Sequence, residues 1–212
     1  MHWIDRGLEP QRLKAIRAQY TSRWIKYYRD GIGSQPGDAY WRAFHADLSR
    51  VFFGLCAYCE EFCRGEVEHF RPKSRFPDHV YTWSNWVFAC HDCNHMKGDK
   101  WPVSGYIDPC ARAQLARPER FFDFDTLTGE ILVKEGLSQA QHSKAMQTIT
   151  DLDLNAYHHL KKRLAWLTAL AEVFATRAGK TLITRVFCGS SLRETPKYRV
   201  LHGLNSVKWV TP

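Results

Sequence analysis

Two Cys-x-x-Cys pairs, Cys56-Ala-Tyr-Cys59 and Cys90-His-Asp-Cys93, constrain this chain more than any other feature. Two thiolates separated by two residues grip one side of a tetrahedral ion, and a second such pair completes a four-cysteine site. Thirty residues separate Cys59 from Cys90, against roughly fifteen to twenty in a zinc ribbon. A folded element must therefore sit inside the metal loop. The all-thiolate set points to structural Zn2+, with iron in the same geometry as the competing ion. Seven cysteines is an odd number, and four of them in such pairs suit metal binding in a reducing compartment better than a disulfide framework. Cys63, Cys110 and Cys188 are left as small hydrophobes, with Cys63 close enough in sequence to Cys59 to stand as an alternative ligand.

Inside the loop, Glu66-Val-Glu-His-Phe70 has strand character, and Arg71-Pro-Lys-Ser-Arg-Phe-Pro77 breaks into a loop. A second strand is expected at Trp86 to Ala89, then the second knuckle, then a helix beginning at Asn94-His-Met-Lys97. Glu68, His69, Asn85 and Asn94 are the polar residues at these junctions, while Trp83 and Trp86 read as wedges in the core. Such a set has a chemical logic. Hydrolysis of a phosphodiester needs water activated near neutral pH, which suits histidine. A carboxylate and an amide oxygen suit a hard cation such as Mg2+, most of whose shell stays water and phosphate.

The order of these elements resembles the HNH endonucleases, the ββα-metal nucleases. The resemblance rests on Glu68-His-Phe-Arg-Pro72, on Asn85, and on Cys90-x-x-Cys93-Asn94-x-x-Lys97-Gly98. It implies His69 as general base, Glu68 and Asn94 as ligands of a catalytic divalent ion, and Asn85 as the residue that holds the hairpin loop. His95, which follows Asn94, is the alternative ligand. Arg71 and Lys97 are candidates for phosphate contact. The resemblance narrows further with Ile4-Asp-Arg-Gly7, Tyr81-Thr-Trp-Ser-Asn85, Ile107-Asp-Pro109, Thr128-Gly-Glu-Ile131 and Leu152-Asp-Leu-Asn155. Together these look like the PtuB group, HNH nucleases of Septu-type and retron-associated anti-phage systems. That group implies a partner, a PtuA-like ATPase that controls cutting, and a nucleic-acid substrate, DNA or RNA.

Outside the module, Leu13, Ile16, Tyr20, Trp24 and Tyr27 recur at helical spacing over residues 11–28. Asp38 is a plausible N-cap for a second helix to about Phe53, closed by Gly54. Phe121 to Val133 reads as a hairpin, Ser138 with Gln141 as a capping box, and Asn155 as the cap of a last helix carrying a solvated Lys161-Lys-Arg163. Thr181 to Phe187 is strand-like, in a tail that carries Arg193, Lys197, Arg199 and Lys208. These elements predict an α+β fold, mostly helical, in a single domain around a zinc-bound ββα-metal HNH module. Its parts are an N-terminal helical segment (1–54), the module (55–101) and a C-terminal hairpin and helical region (102–212).

The net charge of +8 over 212 residues favours a polyanionic partner. No stretch is long and apolar enough for a signal peptide or membrane span, so a soluble, cytoplasmic protein is expected. Two rival readings stand beside a defence nuclease: a stand-alone restriction or repair HNH enzyme, and a non-catalytic zinc module that binds nucleic acid or a partner.

Overall fold

The structure, a computed structural model, describes residues 1–37 and 39–175. Asp38, the strand-like stretch 181–187, Cys188 and the basic residues of the tail lie outside the described residues. The fold is α+β, with two small sheets among the helices.

The described chain forms two compact units, the first made of Met1–Asp123 and Leu132–Leu154. Its first helix, α1, runs Arg12–Tyr28 and buries Leu13 and Trp24. The Trp24 indole donates to the Tyr81 hydroxyl at 3.3 Å, and Arg17 Nε donates to the Tyr81 carbonyl at 2.8 Å. One of the helix's basic residues thus braces the metal loop.

The expected second helix begins as a 3-10 turn, Tyr40–Phe44, and becomes the α-helix α2 only over His45–Val51. Residues three apart eclipse in a 3-10 turn, which aims Trp41 and Phe44 in one direction. They meet two cross-strand neighbours, Trp41 against His69 at 5.0 Å and Phe44 against Trp86 at 5.3 Å between ring centroids. An α-helical start would rotate the two rings apart.

Strands β1 (Glu66–His69) and β2 (Trp86–Ala89) pair antiparallel with His69 opposite Trp86 and Glu68 opposite Val87. Gly65 precedes β1 with φ of 56°, and a Cβ there would collide with the Phe88 ring. Helix α3 spans His91–Lys97. It starts three residues before the predicted Asn94, because Cys90 supplies the N-cap: its sulfur accepts from the Cys93 amide at 3.4 Å.

Helix α4, Gln139–Asp151, opens on the predicted capping box of Ser138 and Gln141. Trp83 and Trp86 are buried, as expected of wedges.

The second unit comprises Phe124–Ile131 and the chain from Asn155 onward, described to residue 175. Strands β3 (Phe122–Phe124) and β4 (Ile131–Val133) form the second sheet, and α5 spans Tyr157–Ala175. Asn155 does not cap this helix. Its amide reads the backbone of Ile131 instead, accepting from the N–H and donating to the carbonyl, each at 2.9 Å. Arg163, expected in solvent, is buried and donates to the Gly129 carbonyl at 3.0 Å and to Asn155 Oδ1 at 3.3 Å. Among the described residues, no helix is long and apolar enough to cross a membrane.

Candidate active site and zinc knuckle

The four cysteine sulfurs come together as the spacing requires. Cys56, Cys59, Cys90 and Cys93 place their Sγ atoms within 4.8 Å of one another. A tetrahedral Zn–S4 site with bonds of about 2.3 Å has sulfur–sulfur edges of about 3.8 Å, and Cys59 and Cys90 lie 3.8 Å apart. Hydrogen bonding within the cluster, from Cys56 first, pushes the Cys59 and Cys93 thiols up and the Cys90 thiol down. A divalent cation that favours sulfur would hold all four as thiolates. Donor chemistry and spacing both fit zinc. Cys63 stands outside this group, and burial pushes its thiol up to about 12.

Strand alternation sorts the residues of β1 onto two faces. Glu66 and Glu68 share the face covered by α3, while Val67 and His69 share the opposite face with Phe88 and Trp86. On the α3 face the contacts form two rungs. The Asn94 amide nitrogen donates to Glu66 Oε2, and the Lys97 ammonium is paired with Glu68 Oε1. Asn94 and Lys97 are three apart on the helix and Glu66 and Glu68 two apart on the strand, so the ladder follows from the two periodicities.

By sequence, Lys97 is a candidate for phosphate contact. The structure places its ammonium inside, with no exposed surface, donating to the His69 carbonyl at 3.0 Å as well as pairing with Glu68. A buried cation is tolerated only beside a carboxylate and further acceptors, and Lys97 has both. Burial raises the Glu68 carboxyl while Lys97 works in the opposite direction.

His69 is 5% exposed on the other face. Its Nε2 lies 2.9 Å from the Val80 carbonyl, which also accepts from the Trp86 indole at 2.9 Å. Trp41 covers the ring edge-on, and Lys73 places its ammonium 5.8 Å from the Trp41 ring. Burial first, then the charges of Lys73 and Lys97, push the His69 imidazolium down to about 3, against the hydrogen bond to Val80.

Asn85 is buried and pins the loop that follows β1. Its Oδ1 accepts from the Arg71 amide at 2.8 Å, and its Nδ2 donates to the carbonyls of Arg71 and His79 at 3.0 and 3.3 Å. The Arg71 guanidinium stays exposed, 5.8 Å from the Phe76 ring. His95, the alternative to Asn94, is exposed and stacked on His91 at 6.0 Å.

Three participants were not found by reading the sequence. Trp41 is distant in the chain and signalled nothing beyond core packing. Lys73 lies two residues after Arg71 in the same loop. Glu66 lies two before Glu68, and strand periodicity alone would have put both carboxylates on one face.

Residues 56–100 match the HNH endonuclease family. The central module is an HNH endonuclease domain. The chain is also 44% identical over 104 residues to Septu protein PtuB of Bacillus thuringiensis. That likeness covers 45% of this chain and 36% of the PtuB protein, so the HNH-domain protein described here spans well under two thirds of its relative's length.

Proposed function

We propose that this protein is a zinc-stapled, metal-dependent HNH endonuclease that hydrolyses phosphodiester bonds, serving as the effector of an anti-phage defence system under the control of a PtuA-like ATPase. The observation that carries the reading is the tautomer of His69. A carbonyl can only accept, so Nε2 carries the proton facing Val80 and Nδ1 keeps its lone pair. Burial keeps the ring neutral at physiological pH with that lone pair free, and a bound phosphate and water beside it would offset the desolvation and raise its basicity towards the range a general base needs.

Glu68 and Asn94 are the residues to hold a catalytic divalent cation. Lys97 occupies one oxygen of Glu68, leaving Oε2, and Asn94 Oδ1 is the second hard donor. A cation there would neutralise charge on the scissile phosphate and the departing oxygen. Asn85 fixes the loop that carries Arg71, which is suited to a phosphate oxygen of the substrate backbone. Glu68 and His69 leave opposite faces of β1 at its final two residues. The reacting phosphate is therefore met at the end of the strand.

The test is Mg2+-dependent cleavage of plasmid DNA and of total tRNA, with and without a co-expressed ATPase partner. Cleavage of either substrate is expected, and which one is cut decides between DNA and RNA. An adjacent methyltransferase gene in place of an ATPase gene would favour the restriction reading.

A further inference from the structure

The two rungs between β1 and α3 are not equivalent. Lys97 and Glu68 form a buried ion pair, but Glu66 and Asn94 meet at a surface where neither needs the other for solvation: the Glu66 side chain is 46% exposed. Exposed polar pairs contribute little to stability. The Glu66–Asn94 contact instead fixes the orientation of an amide.

Asparagine can turn its amide end over end at little cost, exchanging an oxygen for an NH2 group. An ionised carboxylate only accepts, so the atom of Asn94 that faces Glu66 Oε2 must be Nδ2. The amide oxygen is thereby kept away from Glu66 and available to a hard cation. Were the amide reversed, its NH2 hydrogens would point at that cation and repel it. Glu66 is itself steadied from the other side, where Oε1 lies 3.1 Å from His91 Nδ1. A strand carboxylate thus sets which atom the helix presents.

We infer that Glu66 is a positioning residue, which holds the Asn94 side-chain amide so that Oδ1 rather than Nδ2 is offered to the catalytic cation. This inference rests on the reading of Asn94 as a ligand given above. It also gives His91, inside the second Cys-x-x-Cys pair, a use as the brace of Glu66.

The experiment measures Mn2+ binding by electron paramagnetic resonance, without substrate, on zinc-loaded wild type and the variants Glu66→Ala, Glu66→Gln and Asn94→Ala. It also follows the Asn94 side-chain NH2 resonances by NMR in the diamagnetic, Mn2+-free proteins. Removing a group that orients a metal ligand costs roughly ten- to a hundredfold in affinity, so Glu66→Ala is expected to weaken Mn2+ binding by about tenfold or more. Its Asn94 NH2 resonances should shift towards those of a freely turning amide, at unchanged zinc content. Glu66→Gln keeps an acceptor oxygen for Nδ2 and is expected to bind within about threefold of wild type, since only the charge of the hydrogen bond is lost. Wild-type Mn2+ affinity in Glu66→Ala, with Asn94→Ala impaired, would overturn the inference and leave the metal assignment standing. Wild-type affinity in Asn94→Ala would overturn both.

Discussion

His69 and Val80 are joined by a 2.9 Å hydrogen bond from the ring Nε2 to the backbone carbonyl, and that bond decides which nitrogen of His69 carries a lone pair. The ring packs edge-on against Trp41 and is 5% exposed. The neutral imidazole and its burial are therefore one fact seen from two sides, because desolvation is the first cause of the lowered pKa.

This has a consequence for stability against pH. Unfolded, His69 binds a proton below about 6.5; folded, it refuses one until about 3. The unfolded state thus gains protons that the native state does not, and stability falls as pH drops through that window, at up to about 1.4 kcal/mol per pH unit. Above 6.5 the group contributes no slope. Urea unfolding at roughly pH 7 and roughly pH 4.5 should show wild type losing more stability on acidification than His69→Gln. Equal losses would mean that His69 is not held neutral by the fold.

Trp41→Ala opens the ring to water. Desolvation is the largest influence on His69, so its pKa should move up towards the ordinary histidine value, which an NMR titration of the imidazole would follow. The same variant should cleave at least as fast as wild type when the ATPase is absent, because a less desolvated imidazole is a stronger base. A slower variant would show that Trp41 positions substrate rather than shields the base.

Lys97→Met leaves the Glu68 carboxylate buried without its cation. Breaking one side of a buried pair costs about 3–5 kcal/mol, and the loss should appear as a lower urea midpoint. Adding Glu68→Gln to the same chain should recover much of it, because the orphaned charge is removed. If both variants unfold like wild type, the ion pair is not part of the folded state.

Zinc removal should abolish the central module. Structural zinc contributes folding free energy on the order of 10 kcal/mol, so Cys59→Ser or Cys90→Ser should lose one equivalent of zinc and the near-ultraviolet signal of Trp83 and Trp86, which pack inside it. A soluble, folded Cys59→Ser chain without zinc would contradict the site.

What could be read from the sequence is what local rules govern. The knuckle spacing, the two short strands of the metal loop and the capping box at Ser138 each depend on residues a few positions apart. The family resemblance casts Asn85 as a loop-holder, and Asn85 makes three hydrogen bonds to the backbone of Arg71 and His79. What the sequence did not disclose depends on long-range packing. Lys97 looks like any surface lysine until Glu68 is brought over it, and Arg163 like part of a basic patch until Gly129 accepts from it. Trp41 reaches His69 from 28 positions earlier, through a 3-10 turn that composition does not announce. Asn155 had a helix-capping neighbourhood, but the backbone of Ile131 offered it two hydrogen bonds.

The most direct test of the central claim is the Mg2+-dependent, single-turnover cleavage rate of His69→Ala against wild type, on whichever nucleic acid the wild type cuts. A positioned general base contributes about 10²–10⁴-fold. The account predicts a loss of that size at unchanged zinc content, with the assay run well below the variant's own unfolding midpoint. Cleavage by His69→Ala at the wild-type rate would contradict it.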